Sequence, residues 1–410
     1  MRSIELKDIQ KAKENLSGVA LNTLFERSRS ATNYLGTETF LKFENQQRTG
    51  SFKIRGAYNK ISSLSDEELK KGVSACSAGN HAQGVAYSAH ALGAKAHIVM
   101  PIEAPVAKVQ ATLDYGAKVY QHGIVVDEAK DYCLEMSERE GYTFVHPYED
   151  PLVIAGQGTI GLELYEEAKD LDSVVIGVGG GGLISGVACA LKALNPKIKI
   201  YGAVTEAAPG MKEVFENPTR FNENKFSSRP TIADGIAIRK PSRYIYDNYI
   251  SKYVDDIVTV NDEEIALAMV YLLERAKAVV EGAGAAGLAG AKKANWNLGK
   301  KCAVILCGGN IDLSLVSRVI EKGLTVQGRM TRIQVLIEDI PGQLNRLTEV
   351  LSQLSANVID VQHDRVSSHL GLRQTMVEFL LMTRSREHIE QIKKAFIKIG
   401  AKVKESSDEL

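Results

Sequence analysis

The sequence predicts an α/β protein with a largely parallel sheet, followed by a small ferredoxin-like βαββαβ module. Three observations carry this. Short β-branched apolar runs alternate with helical stretches up to about residue 325. Several of those runs are continuously apolar, the pattern of strands buried on both faces. Beyond the polar stretch 321–329 the pattern changes to alternating strands and amphipathic helices. The chain of 410 residues is too long for one ordinary domain and suits two or three units.

Taken in order, strands are predicted at residues 39–43, 96–100, 173–177, 200–204 and 303–306, with a helix at 263–277. In the C-terminal part, residues 331–338 alternate like a strand. Asp339-Ile340-Pro341-Gly342 turns into a helix that runs through Leu354. Strands at 357–366 and 373–383 follow, then a helix at 387–399 and a last short strand at 401–404.

Lys plus Arg and Asp plus Glu both number 50, so the formal net charge is zero. No global field draws the chain to nucleic acid or to an anionic membrane. The five cysteines, Cys76, Cys133, Cys189, Cys302 and Cys307, include no C-x-x-C pair. That argues against a disulfide framework and a zinc ribbon. The charged opening, Met1-Arg2-Ser3-Ile4-Glu5, lacks the apolar core of a signal peptide. The uncharged stretch 173–191 contains four consecutive glycines and makes a poor membrane span. Ser407-Asp408-Glu409-Leu410 looks like a retention address, which goes unread without a signal peptide. The expected setting is cytoplasmic.

Three clusters carry the chemistry. Val178-Gly179-Gly180-Gly181-Gly182-Leu183-Ile184-Ser185-Gly186 follows a strand and opens a helix. Glycines let a ligand approach the backbone, and a helix N-terminus offers free N–H groups, so this is a phosphate cradle. Four successive glycines are unfavourable in a plain connection. The same window, with Gly177, Gly179 and Gly182 and then Glu206, also matches a dinucleotide fingerprint. A nicotinamide dehydrogenase therefore competes at this point, but it leaves the other clusters without a purpose. The second cluster, Ser77-Ala78-Gly79-Asn80-His81, precedes a helical stretch and reads as a capped helix start or a second anion site. His81 reads as structural. In the third, Thr49-Gly50-Ser51-Phe52-Lys53-Ile54-Arg55-Gly56-Ala57, one lysine sits among small and apolar neighbours. Such an amine, if desolvated, has a lowered pKa and suits Schiff-base and proton-transfer chemistry. Spacing alone leaves a surface lysine open.

These motifs, with Cys307-Gly308-Gly309-Asn310, resemble the fold-type II pyridoxal-phosphate enzymes, and within them the threonine/serine dehydratases. The resemblance covers about residues 1–325. Residues 326–410 resemble an ACT domain, an amino-acid-sensing module, through Asp339-x-Pro341-Gly342-x-Leu344 and Ala356-Asn357-Val358. It implies a two-lobed, tryptophan-synthase-β-like catalytic region whose smaller lobe spans roughly 41–144, and pyridoxal 5'-phosphate as cofactor. Lys53 would hold the cofactor as a Schiff base and move the Cα proton. Phe52 would pack on the pyridine ring, Asn80 would bond its hydroxyl, and Gly179, Gly180, Gly181, Gly182 and Leu183 would bind the phosphate. Ser77, Ala78, Gly79, Asn80 and His81 would hold the substrate carboxylate. Asp234 would lie near the substrate hydroxyl and Glu281 would face the cofactor, or both acids are structural. Cys307 would face the pyridine nitrogen, and a neutral thiol there favours β-elimination over transamination.

The implied activity is deamination of L-threonine, and of L-serine, in a homo-oligomer, dimer or tetramer. A serine-preferring dehydratase, a serine racemase and a non-catalytic sensor are the alternatives. Ala78 stands where racemases carry a proton-donating serine. Lys212 falls near the position of their metal-binding acid, so no metal site is expected. A small-molecule effector, a branched-chain amino acid, would bind at Gly342 and Asn357.

Overall fold

The computed structural model describes residues 2–223, 225–365 and 370–404. The Ser407–Leu410 tail and Val366, the end of one expected strand, lie outside them. The chain divides into two units, Met1–Leu315 and Val316–Leu410. This division falls about ten residues ahead of the boundary read from sequence and lies within one helix, Leu313–Val326.

The first unit holds two sheets. The larger has six strands in the order Phe25–Arg27, Glu38–Lys42, Lys301–Ile305, Ser173–Gly177, Lys199–Thr205 and Asp256–Val260. Every neighbouring pair is parallel except the first. The smaller sheet is parallel throughout, in the order Lys118–Gln121, Ala96–Met100, Val73–Cys76 and Thr143–Phe144. Leu41 and Lys42, counted with the smaller lobe from sequence, pair within the larger sheet. All residues of Ser173–Gly177, Ala96–Met100 and Val73–Cys76 are buried, which is why they read as apolar or small-residue runs, with His97, bonded to the Tyr120 hydroxyl, as the exception. The helix predicted at 263–277 starts at Asp262 behind an Asn261–Glu264 capping box. It ends in a wider turn, Leu272–Ala276, with Lys277 at φ 55°.

Ligands of open parallel sheets gather where strands give way to helices at their carboxyl ends. Val73–Cys76 runs into helix Asn80–Ala91 through Ser77-Ala78-Gly79. Ser173–Gly177 runs into helix Gly182–Leu194 through the glycine run. Lys301–Ile305 leads to Cys307.

The second unit contains Met330–Glu338, Gln343–Gln353, Asn357–Asp364, Gln374–Met382, Arg386–Lys398 and Lys402–Lys404, in the order βαββαβ. Its strands are antiparallel, with Asn357–Asp364 at one edge and Lys402–Lys404 at the other. Ile333, Val335, Val377, Phe379 and Leu381 pack on Leu347, Leu351, Ile392 and Phe396 of the helices. This is the ferredoxin-like arrangement. Among the described residues, no helix is long and apolar enough to cross a membrane.

Candidate active site

Lys53 opens helix Lys53–Ile61. The turn before it is bent by Thr49 at φ 63° and Gly50 at φ 72°. It is stapled to the segment after Lys301–Ile305. The Phe52 amide donates to the Cys307 carbonyl at 3.2 Å and the Gly309 amide to the Gly50 carbonyl at 2.9 Å. A Cβ on Gly50 would stand 2.2 Å from Asn310 Oδ1, so only glycine fits. Lys53 Nζ donates to the Pro147 carbonyl at 3.0 Å and lies 5.3 Å from the Phe52 ring centre. Desolvation pulls its pKa down to about 8, against the opposing pull of Cys307 and Glu281. Pro147 carried no signal for this role in the sequence.

The glycine run forms a tight shell. A Cβ at Gly179 would meet Ile236 Cα at 2.9 Å, one at Gly180 the Tyr148 ring at 2.3 Å, and one at Gly181 Ile245 Cγ2 at 2.6 Å. Gly182 lies equally close to the Tyr148 Cα, at 2.9 Å from a built Cβ. Leu183 is buried behind them. The first intrahelical bond runs from the Ser185 amide to the Gly181 carbonyl, which leaves the preceding amides free for an anion.

The Ser77–His81 loop departs in part from expectation. The Ser77 amide is taken: it donates to the Val99 carbonyl at 3.2 Å, extending the sheet by one bond. The Ser77 hydroxyl accepts from the Gly79 amide at 3.2 Å. Among the described residues, the amides of Ala78, Asn80 and His81 have no backbone acceptor. His81 bonds the Val145 carbonyl at 2.8 Å through Nε2, and burial lowers its pKa to about 3, so the ring is neutral. It is only half satisfied, because Nδ1 is buried without a partner among the described residues.

Asn80 Nδ2 donates to Glu281 Oε1 at 2.6 Å, and its Oδ1 accepts from Asn310 Nδ2 at 2.7 Å. Asn310 also donates to the Thr49 carbonyl at 2.7 Å, so it joins three loops. Burial, then the charge of Asp234, pushes the Glu281 carboxyl up to about 7. A Cβ on Gly308 would stand 2.2 Å from Glu281 Oε1. The Asp234 side chain is 61% exposed and pairs with Lys108 at 2.5 Å. Lys212 pairs with Glu216 at 3.0 Å.

Residues 16–308 match the family model described as pyridoxal-phosphate dependent enzyme. The chain belongs to the pyridoxal-phosphate dependent enzyme family. It is 45% identical over 401 residues to an L-threonine ammonia-lyase from Thermotoga maritima, covering 98% of this chain and 99% of that protein. The solved processed form of threonine deaminase isoform 2 from Solanum lycopersicum superposes with a TM-score of 0.72 at 36% identity. That match covers 77% of this chain and 86% of that one. A serine racemase from Dictyostelium discoideum gives a TM-score of 0.69 at 34% identity, covering 76% of this chain and all of that one.

The residues present fit a pyridoxal-phosphate enzyme's cofactor. Ser51 Oγ, Thr49 Oγ1 and His81 Nδ1 are buried around the lysine loop without a partner among the described residues, and buried polar groups call for partners. The glycine shell is closed to any side chain but leaves amides open. Cys307 is buried, with Sγ 3.5 Å from the Ala283 carbonyl, and desolvation raises its pKa, so it is a neutral thiol. A hydroxyl reproduces its weak donor and acceptor properties. Cys307→Ser is therefore expected to keep activity within about threefold, measured as kcat with cofactor saturating. Cys307→Asp is expected to move chemistry toward transamination, read as accumulation of the amino form of the cofactor. Loss of turnover in the serine variant with cofactor bound would show that sulfur itself is needed.

Arg55, part of the lysine motif but given no role from sequence, is 1% exposed. Its guanidinium binds both oxygens of Glu44, at 2.8 and 2.9 Å, and both oxygens of Glu163, at 2.6 and 2.9 Å. Lys42 adds a second cation on Glu163 at 2.7 Å. This buried network ties the Lys53 helix to helix Pro151–Glu167 and to the strand Glu38–Lys42.

Proposed function

We propose that this enzyme eliminates water from L-threonine to give 2-oxobutanoate and ammonia, and from L-serine to give pyruvate and ammonia. The observation that carries the reading is the pairing of a desolvated lysine amine with a neutral buried thiol in one cleft. The likeness to an L-threonine ammonia-lyase over nearly the whole chain supports the substrate. When bound, pyridoxal phosphate supplies an electron sink that acidifies the Cα proton. The amides of the glycine run would hold its phosphate, Phe52 would pack on its ring, and Asn80, whose Nδ2 donates to Glu281, would bond its hydroxyl. The amides of Ala78, Asn80 and His81 hold the substrate carboxylate. Lys53 Nζ takes the Cα proton, and the Cβ–oxygen bond breaks with the electrons of the Cα–H bond. Hydroxide and a proton leave as water, and hydrolysis of the released enamine gives the 2-oxo acid and ammonia. Facing the ring nitrogen, the neutral Cys307 thiol would supply no negative charge to favour its protonation, which would favour elimination over transamination.

Incubation with L-threonine and with L-serine tests this, following 2-oxobutanoate, pyruvate and D-serine. Both oxo acids are expected, with D-serine below a tenth of the pyruvate. Ala78 has no proton to deliver to the opposite face of the substrate. D-serine formed as fast as pyruvate would favour a racemase.

For the second unit we propose amino-acid sensing of the ACT type and pairing between copies of the chain. The edge strand Asn357–Asp364 is exposed along nearly its whole length, including Val358, Ile359 and Val361, and leaves its outer backbone groups open to a second copy. Gly342 stands at φ 91° before helix Gln343–Gln353, with open space around it. Asn357 lies at the other end of the sheet. It pairs with Met382, which pairs with Met330, whereas Gly342 follows Glu338. Those ends are ~26 Å apart at strand rise, so the two residues share an effector site only across two paired copies. Isoleucine is expected to shift the threonine saturation curve of the full chain, within the ~5–150-fold range of allosteric couplings. A chain ending after Gly328 should not respond. No effect of isoleucine or valine on the full chain would leave this module a purely structural role.

A further inference from the structure

Lys108 belongs to helix Val106–Asp114, between the small-sheet strands Ala96–Met100 and Lys118–Gln121. This helix is lightly anchored: Thr112 is its one buried residue, and Val106 is 83% exposed. Its lysine nonetheless reaches inward. The Lys108 side chain is only 18% exposed and ends on Asp234, 126 residues away and on the large-sheet side of the cleft.

The Asp234 end is firmly seated. Its turn, Asp234–Ile236, presses Ile236 Cα and the Gly235 carbonyl onto Gly179, within 2.9 and 3.3 Å of a built Cβ. Just before it, the Ile232 carbonyl would lie 2.2 Å from a Cβ on Gly282, at the start of helix Gly282–Lys293. Asp262 accepts from the Thr231 hydroxyl and the Ile232 amide. The pair thus joins a loosely held helix of one lobe to a turn that touches both the glycine run and the Glu281 helix. Glu281 and Asp312 also feel the lysine charge.

We propose that Lys108 and Asp234 form a latch that holds the small lobe closed over the catalytic cleft, and that opening it loosens the hold on the amino-acid substrate. Lys108 is a positioning residue in this scheme. The proposal goes beyond the elimination reading and rests on it only for the choice of substrate.

The test is a double-mutant cycle on the holoenzyme with Lys108→Gln, Asp234→Asn and both together. Hydrogen exchange of residues 102–114 is the first readout. Each single variant is expected to exchange faster by about 2–5-fold, the range of a solvent-accessible ion pair, and the double no faster than either. The charge swap Lys108→Asp with Asp234→Lys is expected to return exchange toward the parent. The second readout is kinetic: Lys108→Gln should raise the KM for L-threonine about 2–5-fold and change kcat less. Exchange that stays at the parent rate, single effects that multiply in the double variant, or an unchanged KM would each overturn the latch. A protein that turned over neither threonine nor serine would fail the functional reading, and the exchange cycle would still decide the latch.

Discussion

Lys53→Ala is expected to lower kcat by ~10³-fold or more, the loss that follows removal of a proton-transferring, covalently acting amine. The structure singles this lysine out. Lys42 is buried too, but its Nζ pairs with Glu163 at 2.7 Å, and Lys108 pairs with Asp234. Among the described residues Lys53 Nζ hydrogen-bonds a carbonyl alone, that of Pro147, and its pKa is lowered to about 8. Its amine is therefore available to a carbonyl carbon near neutral pH. Borohydride reduction of the holoenzyme followed by peptide mapping should place the pyridoxyl label on Lys53. A label on any other lysine, or near-normal turnover of the alanine variant, would defeat the assignment. The same shift sets a pH trend in the cofactor-free protein. Because the folded pKa lies below the ordinary 10.5, the unfolded chain binds more protons between about 8 and 10.5. Stability from this group therefore rises with pH across that window and is reduced below it. Lys53→Met should remove the trend.

Arg55→Ala is expected to destabilise the first unit by ~3–5 kcal/mol, because it strands Glu44 and part of Glu163 without their partner inside the fold. Glu44 is 0% exposed, and the Arg55 charge helps hold its carboxyl below the usual range against the opposing effect of burial. Arg55→Lys keeps the charge but cannot bind two carboxylates bidentately, so it should recover only part of the loss. Urea unfolding of the cofactor-loaded protein measures both. A loss under ~1 kcal/mol in the alanine variant would mean that water or rearrangement satisfies the two acids. Cofactor affinity should fall with stability, since the network anchors the helix that begins at Lys53.

What the sequence alone determined is local and periodic. The strands at 96–100 and 173–177 appear residue for residue, because strands covered on both faces are mostly apolar or small, His97 being the one exception in these two. The C-terminal βαββαβ order follows from alternation and helical periodicity, and the glycine run declares itself by composition. Lys53 was legible as a candidate through its small and apolar neighbours and its resemblance to a known motif. Its lowered pKa was a conditional expectation, since desolvation belongs to the assembled cleft. Only tertiary structure decided the partners. The Ser77 amide goes to Val99 because the neighbouring strand needs one more bond, not to an incoming carboxylate. Arg55 meets Glu163 across 108 positions, and Lys108 meets Asp234 across 126. Gly342 and Asn357 part to opposite ends of one sheet because the helix between them runs its length. A backbone's conformational preference is written into each residue and its near neighbours. Which charge ends beside which depends on how sheets and helices pack, and no local pattern carries that information.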